Sequence, residues 1–574
     1  MIQQDRSSKG LSAALEERAG KRTVFIPVAA CLLAYLFIVS ILEMRIQSVS
    51  SDEVVHLPAG ITYLRTGDFR LNPQHPPLVK ILSAIPVLFL NPKMDLNDPA
   101  WQKESLNQWV FGANLLFAND AERLLFWGRM PILLLSLALG LFIFIWAKEL
   151  YGNMASLLAL FLYALSPDVI AHSHFITMDV PLSAFILLTL YFLWKWTKAG
   201  KLLDFIMTGL FLGCALATKF SAIVLLMALP VIFLILAVKG KSDNGKKIPE
   251  RRMRDVHLFL QPLGFETRKR RLFASAISCL VLIVIAFIVV QGFYFYSSDI
   301  TIYFKGMKQV NIDHNPDFQY YLLGDFKKGG WWYYFPLAFL MKTPIPALLF
   351  LFVSLFSLVS FRSRFLANEM FLLLPSLGLL IMTMAYADNV GVRYLLPVMP
   401  LLFIFSSRVV HFMVQERIKF GMIAAAAAWY LASSVAIYPE HLCYFNEFIG
   451  GPANGYKYLD DSNLEWGQDF KRMADYIKKK GVKDSYFLAW LGGEAGYYGL
   501  DARNIDDIGV DALMGKPPEP GTYFMSIHLL LRLRLYAKQT GNSYFDWLHL
   551  YDPVDRIGHS TLIYRFTSSV PRSR

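Results

Sequence analysis

The sequence predicts a polytopic α-helical membrane protein with a small α/β domain at its C-terminal end. Of the 574 residues, 55% are hydrophobic and only 17% are charged, and the mean hydropathy is +0.40. A soluble chain of this length would expose far more charge, so most of the surface must face lipid. Long apolar runs recur from residue 23 to residue 438. After residue 439, charges, turns and short strand-like runs return.

The transmembrane helices are predicted from the length of the apolar runs. A hydrocarbon core about 30 Å thick is crossed by a helix of about 20 residues. The run at 78–90 is too short and is expected to lie in the membrane interface. No small-residue cleavage site follows the first run, so we interpret it as an uncleaved helix. We expect about eleven spans, near residues 23–42, 127–147, 153–171, 180–197, 203–218, 220–238, 272–293, 333–358, 365–386, 393–410 and 419–438.

The orientation in the membrane is predicted from the basic residues. The loop 239–271 is rich in Lys and Arg, which indicates that it is cytoplasmic. Alternation then places residues 1–22 in the cytoplasm, and the first large loop, 43–126, and the C-terminal domain, 439–574, on the outer face. Such loops explain the net charge of +12, so we expect no nucleic-acid partner. The absence of any Asn-X-Ser/Thr sequon favours a bacterial inner membrane.

The C-terminal region is predicted to contain strands between helical patches. The runs SYFLAWLG and GTYFMSIHLL are typical of strands, and glycine turns separate the segments. The segment DDSNLEWGQD before them has two interpretations. Asp461 and Ser462 could cap the start of a helix, which we favour, or the segment could bind a sugar with Trp466 as a stacking surface. Three of the four cysteines lie in apolar runs, so no disulfide framework is expected.

The stretch SDEVVHLPAGITYLRTGDFRLNPQHPPLVK, from Ser51 to Lys80, is where we expect chemistry. It follows the first helix and is predicted to form one short polar loop. Ionisable groups are costly at a membrane and usually mark a pathway or a site. Further ionisable residues are predicted to lie on the same side. The candidates are Asp52, Glu53, His56, His75, Lys80, Arg129, His172, His174, Asp179, Lys219 and Arg393.

These residue types suit the transfer of a sugar from a polyprenyl phosphate. Cations can bind the phosphate that leaves, and a carboxylate can take the proton of an acceptor hydroxyl. A base on one face of the anomeric carbon and the phosphate on the other give a single displacement with inversion. No second carboxylate nucleophile is then needed. Asp52 is the candidate base, and we expect Glu53 to orient it or to serve as a hydrogen-bond partner.

Several motifs resemble those of the protein O-mannosyltransferase and aminoarabinose transferase group of the glycosyltransferase C (GT-C) superfamily. They are Asp52-Glu53 after the first helix, GDFRLNPQHPPLVK, TMDVP, ATKFSA and RYLLPVMP. The tail YFNEFIGGPANGYKYLDDSNLEWGQDFKRMADYIKK is similar to the extracytoplasmic end of bacterial phospholipid-carrier-dependent glycosyltransferases. The resemblance covers most of the chain, and the insert around 239–271 departs from it. It implies a GT-C fold and a lipid-phosphate sugar donor.

The resemblance also implies roles for single residues. Asp52 falls at the position of the catalytic aspartate, and Asp179 matches a second acidic position. Lys80, Arg129 and Arg393 fall where basic residues meet the carrier phosphate, and Lys219 is a further candidate for that role. Asp179, His56 and His75 are our candidates for substrate binding. The acceptor hydroxyl would belong to a protein Ser or Thr, to lipid A or to another glycan.

Simpler interpretations of these residues remain open. Asp52 and Asp179 could cap helices. Arg129, Lys219 and Arg393 could be basic anchors that reach the interface from helix ends. The four candidate histidines could bind a metal, but none are paired at the i, i+4 spacing of a helical metal site. We therefore expect no metal or other cofactor.

Two other classes of protein compete with the transferase. One is a transporter or flippase that moves a lipid-linked sugar without transferring it, and the other is a non-catalytic sugar sensor. Transporters often contain inverted repeats and helices broken at the membrane midplane. Here the ionisable residues are predicted to gather at the outer interface, which favours a transferase with a lipid-linked sugar donor, a hydroxyl acceptor and membrane lipids as its partners.

Overall fold

The computed structural model describes residues 24–102, 106–239, 267–360, 366–413, 417–489, 495–500, 502–504 and 517–567. The predicted cytoplasmic segment 1–22 and most of the basic loop 239–271 lie outside this part of the chain.

Helices dominate the chain up to residue 436. They are α1 (Phe25–Ile46), α2 (Ser51–Thr66), α3 (Leu78–Leu88), α4 (Gln108–Phe117), α5 (Ala121–Tyr151), α6 (Asn153–Ala164), α7 (Pro167–His172), α8 (Asp179–Ala199), α9 (Leu202–Leu216), α10 (Ile223–Lys239), α11 (Arg268–Phe293), α12 (Ile302–Asp313), α13 (Tyr334–Lys342), α14 (Ile345–Ser360), α15 (Leu366–Tyr386), α16 (Met399–Ser406), α17 (Val410–Met413) and α18 (Arg417–Ala436). A hairpin of β1 (Gln319–Leu322) and β2 (Asp325–Lys328) follows α12.

Among the described residues, seven helices are long and apolar enough to cross a membrane: α1, α5, α8, α10, α11, α15 and α18. An eighth span results if α13 and α14 are taken as one bent pair. The remaining predicted spans correspond to the shorter apolar helices α6, α9 and α16. The prediction of a polytopic helical membrane protein is confirmed. The run at 78–90 forms α3, which at 11 residues is too short to cross.

The predicted span 333–358 is broken. Its two halves, α13 and α14, meet at an angle of 117°. Thr343, between them, is extended, with φ −84° and ψ 131°. A residue before proline avoids the helical region, so Pro344 gives the break a local cause in the sequence.

The helix α8 is the centre of the bundle. Nearly all of its side chains are buried, and it packs against α5, α9, α15 and α16. Its first residue, Asp179, therefore lies in the middle of one end of the bundle. The side chains of Asp52, Lys219 and Arg393 meet at this end.

The stretch 51–80 was predicted to be one short polar loop, and this is wrong. It is mostly helical, because α2 takes up its first half and α3 begins at its end. Gly67 ends α2 in the left-handed conformation, with φ 69°, which a glycine adopts without strain. Only residues 67–77 connect the two helices, and α12 packs on this connection near Pro73.

The C-terminal region contains a five-stranded sheet, as the predicted α/β domain requires. The strand order is β4 (Arg503–Asn504), β3 (Ser485–Leu488), β5 (Gly521–Ser526), β7 (Thr561–Phe566) and β6 (Asp555–Ile557). Strands β3, β4 and β5 are parallel, whereas β7 pairs antiparallel with both neighbours. Helices α19 (Phe470–Lys480), α20 (Ile527–Thr540) and α21 (Trp547–Leu550) complete the region.

The favoured interpretation of DDSNLEWGQD is wrong. The helix α19 begins only at Phe470, and residues Asp461–Asn463 form a single 3₁₀ turn. Buried polar contacts hold this turn in place of a helix cap. Asp460 accepts a hydrogen bond from Arg532 at 2.9 Å, and the side chain of Asn463 accepts one from the Val392 amide at 3.0 Å.

Candidate active site

Asp52 lies in the first turn of α2 and does not cap it. The helix begins after Ser50, and the Glu53 carboxylate accepts the Ser50 amide at 2.9 Å. Asp52 is thus free for another partner, and its Oδ2 accepts a hydrogen bond from Nη1 of Arg393 at 2.7 Å. The side chain of Asp52 is 22% exposed.

Glu53 and Arg129 form a buried ion pair. Two hydrogen bonds join them, Nε to Oε1 at 2.7 Å and Nη2 to Oε2 at 2.6 Å. Glu53 also accepts the amide of Ile176 at 3.1 Å, and Arg129 donates to the carbonyl of Ser48 at 2.9 Å. This pair fixes the start of α2 against α5 and the loop before α8. The geometry favours the orienting role expected of Glu53, and Arg129 serves the same purpose.

Lys80 is completely buried. Its ammonium donates to the Tyr63 hydroxyl at 2.8 Å and to the carbonyls of Asn72 and His75 at 2.6 and 2.7 Å. Oδ1 of Asn72 is a fourth acceptor, at 3.2 Å, so the three hydrogens of the ammonium are all engaged. Lys80 therefore fixes the connection between α2 and α3, and a phosphate would have to displace one of these contacts to reach it.

Arg393 and Lys219 are the basic residues of the set that adjoin Asp52 and Asp179. Lys219 donates to Oδ1 of Asp179 at 2.7 Å, and Nη1 of Arg393 lies 4.0 Å from Oδ2 of Asp179. Asp179 thus forms an ion pair with Lys219 and does not cap α8. Arg393 also has a buried Nε–H that makes no hydrogen bond to the described residues.

Two aromatic rings hold these cations in place. The guanidinium of Arg393 lies 4.2 Å from the centre of the Trp466 ring. The ammonium of Lys219 lies 4.2 Å from the centre of the Tyr394 ring. A cation over the face of an aromatic ring is attracted by its quadrupole. Because Trp466 is buried, it acts here as a platform for Arg393.

A cavity of about 420 Å³ opens beside Asp52. His56 and His75 line it, and their rings meet edge to face at 5.4 Å. Nδ1 of His56 lies 2.7 Å from the carbonyl of Ile176, whereas the buried Nδ1 of His75 has no partner among the described residues. Burial, reinforced by His56 and Lys219, lowers the pKa of His75 well below its usual range. His75 is therefore neutral at the edge of this cavity.

The other two candidate histidines have structural surroundings. His174 bonds the side chain of Gln47 at 2.7 Å, and the ring of His172 packs against Trp466. Within the described ranges, no three His, Cys, Asp or Glu side chains come together in a way that could hold a metal ion. The expectation that the protein needs no metal remains a prediction.

Sequence reasoning missed part of the site. The cavity lining also includes Asn72, Gln74, Gln108, Trp109 and Asp313. Asn72 and Gln74 stand within the stretch already singled out, so their position was a signal. Asp313 belongs to α12, far along the chain, and no local pattern connects it with Asp52. Trp466 was considered as a sugar-stacking surface, but its contact with Arg393 depends on tertiary structure.

Comparisons with known proteins agree with the motif resemblance. Residues 109–250 match the family model described as dolichyl-phosphate-mannose-protein mannosyltransferase. The search of curated proteins finds no match. The family match confirms, over this segment, the resemblance to the protein mannosyltransferases.

Several solved structures show a likeness to the chain. ArnT from Cupriavidus metallidurans in the apo state is 14% identical, with 95% of this chain and 98% of that chain covered and a TM-score of 0.47. AglB from Archaeoglobus fulgidus, in complex with an inhibitory peptide and a dolichol-phosphate, is 11% identical, with 95% and 75% covered and a TM-score of 0.41. The S. cerevisiae Pmt1-Pmt2 complex bound to the sugar donor is 17% identical, with 49% and 34% covered and a TM-score of 0.32.

Proposed function

We propose that the protein transfers a monosaccharide from a polyprenyl-phosphate carrier to a hydroxyl acceptor on the outer face of a bacterial inner membrane. The observation that carries this proposal is the junction of Asp52 with Arg393. A carboxylate at the edge of a cavity contacts a guanidinium whose Nε–H has no hydrogen-bond partner among the described residues. In this arrangement Asp52 can act as a general base, and Arg393 supplies a positive charge for the phosphate that leaves.

The protonation state of Asp52 supports its role as the base. Burial raises its pKa, but Arg393, His56 and Lys219 together lower it, and the net effect is a pKa below its usual range. Asp52 is therefore ionised at neutral pH. Oδ2 bonds Arg393, while Oδ1 accepts no hydrogen bond among the described residues. Oδ1 is the atom that we assign to the proton of the acceptor.

In the proposed reaction, Asp52 Oδ1 takes the proton of the acceptor hydroxyl as its oxygen attacks the anomeric carbon. The bond between that carbon and the phosphate oxygen breaks, and its electron pair leaves with the phosphate. The new glycosidic bond forms on the opposite face, so the configuration inverts. Arg393 and Lys219 stabilise the negative charge that develops on the phosphate. We assign Glu53, Arg129 and Lys80 to holding the surrounding loops.

The family match supports a donor of this class. The matched family is described by a dolichyl-phosphate-mannose donor, which is a sugar on a polyprenyl-type phosphate. Mannose itself is not implied for this chain, because the sugar is selected by pocket shape and not by the motifs.

A transfer assay tests the proposal. Purified protein in lipid nanodiscs is incubated with a panel of radiolabelled polyprenyl-phosphate sugars and a total membrane extract as acceptor, with and without a chelator. We expect label from one donor to move to a new product, and the chelator to have no effect. If every donor stays intact while the protein moves lipid-linked sugar across vesicles, the proposal is wrong and the protein is a flippase.

A further inference from the structure

The cavity beside Asp52 has a polar lining with a fixed arrangement of amides. Lys80 donates to Oδ1 of Asn72 at 3.2 Å. Since an ammonium can only donate, the amide nitrogen of Asn72 faces the opposite way. It donates to Oε1 of Gln74 at 3.2 Å and to Oε1 of Gln108 at 3.3 Å. The buried lysine thus orients two glutamines at the edge of the cavity.

This orientation determines which atoms the glutamines present. The amide nitrogen of Gln74 donates to Asp313 at 2.5 Å, so that glutamine bridges α12 and the connection after α2. The amide nitrogen of Gln108 has no hydrogen-bond partner among the described residues. The buried Nδ1 of His75 lacks a partner there too. The lining therefore offers a donor and a second polar nitrogen to a ligand that has hydroxyl groups.

An aromatic ring stands beside these polar atoms. Trp109 follows Gln108 in α4, lines the same cavity and is 49% exposed. The face of an indole ring carries negative electrostatic potential, so it attracts the slightly positive C–H groups on one face of a sugar ring. A half-exposed tryptophan next to amides can bind a sugar in two ways at once. The indole ring stacks on one face of the sugar ring, and the amides bond the hydroxyl groups at its edge.

The charge of the cavity restricts the sugar. Its described lining includes the carboxylates of Asp52 and Asp313. Asp52 is paired with Arg393. By contrast, Asp313 accepts hydrogen bonds from the side-chain amides of Gln74 and Gln309. A sugar with a carboxylate or a phosphate would meet the like charge of Asp313, which is unfavourable. The cavity therefore suits a sugar residue without negative charge.

We infer that this cavity is an acceptor subsite, which binds a sugar residue without negative charge, part of a glycan, through Gln108, His75 and Trp109. The inference rests on the proposed function and identifies its acceptor as carbohydrate. The hydroxyl of the bound residue gives its proton to Oδ1 of Asp52, its oxygen bonds to the anomeric carbon of the donor, and the carrier phosphate leaves with the electron pair. A cavity of about 420 Å³ is of small-ligand size. Peptides are commonly bound as strands or helices in longer grooves.

The product of the transfer assay tests this inference. Labelled product made by the native protein from the total membrane extract is treated with proteinase K, and the residue that carries the new linkage is identified by mass spectrometry. We expect label on a neutral or amino sugar residue, unaffected by the protease. Label on a peptide Ser or Thr, or on an acidic sugar, overturns the inference but is consistent with the proposed transferase function. If no donor is consumed, the proposed function itself fails and the inference fails with it.

Two variants test whether the cavity is the subsite. Trp109→Ala and Gln108→Ala should each raise the KM for the acceptor roughly tenfold while kcat and the KM for the donor stay near native values. The matched controls are Trp332→Ala and Asp317→Asn, exposed residues outside the cavity, which should change neither constant. An unchanged acceptor KM in both cavity variants overturns the inference. Equal thermal unfolding temperatures show that the variants are folded.

Discussion

At the scale of single residues, the site depends on the charge of Asp52. Burial alone would raise the pKa of this carboxyl, and the cation of Arg393 is the largest of the effects that reverse the shift. A lowered pKa keeps the carboxylate ionised as pH falls, until the pH reaches that lowered value. The native base is therefore active over the whole neutral and mildly acidic range.

Replacing Arg393 should expose this effect. In Arg393→Gln the burial of Asp52 remains while the opposing charge is lost, so the pKa of Asp52 should rise. We expect the acid limb of the kcat profile, measured at saturating donor, to move to higher pH. An acid limb at the same pH in both proteins would mean that Asp52 is not the titrating base.

The buried pair of Glu53 and Arg129 supports stability more than chemistry. Glu53→Gln removes one charge and leaves the guanidinium buried without its partner, which costs about 3–5 kcal/mol in comparable pairs. We expect a clear fall in the thermal unfolding temperature in detergent. The control is Asp68→Asn, which breaks the partly exposed pair with Arg70 and should cost about 0–1 kcal/mol. Equal effects of the two substitutions would contradict a stabilising role for the buried pair.

At the scale of elements, α2 and α3 approach closely through a glycine. A Cβ added at Gly60 would lie 1.9 Å from the carbonyl oxygen of Lys80. Since Lys80 fixes the connection that carries His75, the contact between the two helices also determines the shape of the cavity.

Gly60→Ala should therefore lower both the unfolding temperature and the transfer rate, because the helices must move apart. The matched control is Gly421→Ala in α18, where an added Cβ meets nothing within 4 Å. This control should leave both quantities unchanged or raise stability slightly, since alanine is the better helix former. A native-like Gly60→Ala protein would show that the contact is not needed.

The segment 462–470 joins the elements that carry the reacting groups. The carbonyl of Trp466 accepts a hydrogen bond from the Ser51 amide at 2.9 Å, and the carbonyl of Gln468 accepts one from the Ser48 amide at 3.0 Å. Its Asn463 accepts the amide of Val392, next to Arg393. The C-terminal region therefore helps to build the site, because it connects the start of α2 with the turn that bears Arg393.

At the scale of the whole molecule, the residues of the candidate site come together at one end of the helix bundle. The positive-inside pattern predicts that this end faces outward. Membrane topology follows from that charge pattern and is independent of the packing, so it can be tested separately.

Cysteine labelling tests the orientation. In a variant without the four native cysteines, Asp317→Cys near the site and Lys201→Cys at the opposite end, between α8 and α9, are treated in whole cells with a membrane-impermeant maleimide. Both positions are exposed. We expect Asp317→Cys to be labelled in intact cells and Lys201→Cys only after lysis. The reverse pattern would place the site in the cytoplasm.

The sequence predicted helices well where the prediction depended on the length of an apolar run. Helices occur at every predicted span, because a run of apolar residues in lipid has few alternatives. It failed where tertiary contacts decide local structure. The stretch after Ser51 has mixed polarity and is helical through packing, and the Asp461 turn is held by partners distant in the chain.

The candidate site was predictable in part for a related reason. Asp52 was predicted to lie in the first outer loop, and Asp179, Lys219 and Arg393 stand at predicted helix ends on the same side, so their proximity could be expected. Lys80 and Arg129 stand there too, but their burial among protein acceptors was not visible in the sequence. Asp313 and Trp466 were beyond reach, since only the fold brings α12 and the C-terminal segment to Asp52.

The most direct test of the account compares Asp52→Asn with Asp68→Asn in the transfer assay, with donor binding and the unfolding temperature measured on the same samples. Loss of a general base typically costs about 10²–10⁴-fold in rate. We predict a loss of this size for Asp52→Asn, with native unfolding temperature and donor affinity at least as high as native, and near-native transfer for Asp68→Asn. A folded Asp52→Asn protein that transfers sugar at the native rate would contradict the assignment of Asp52 as the catalytic base.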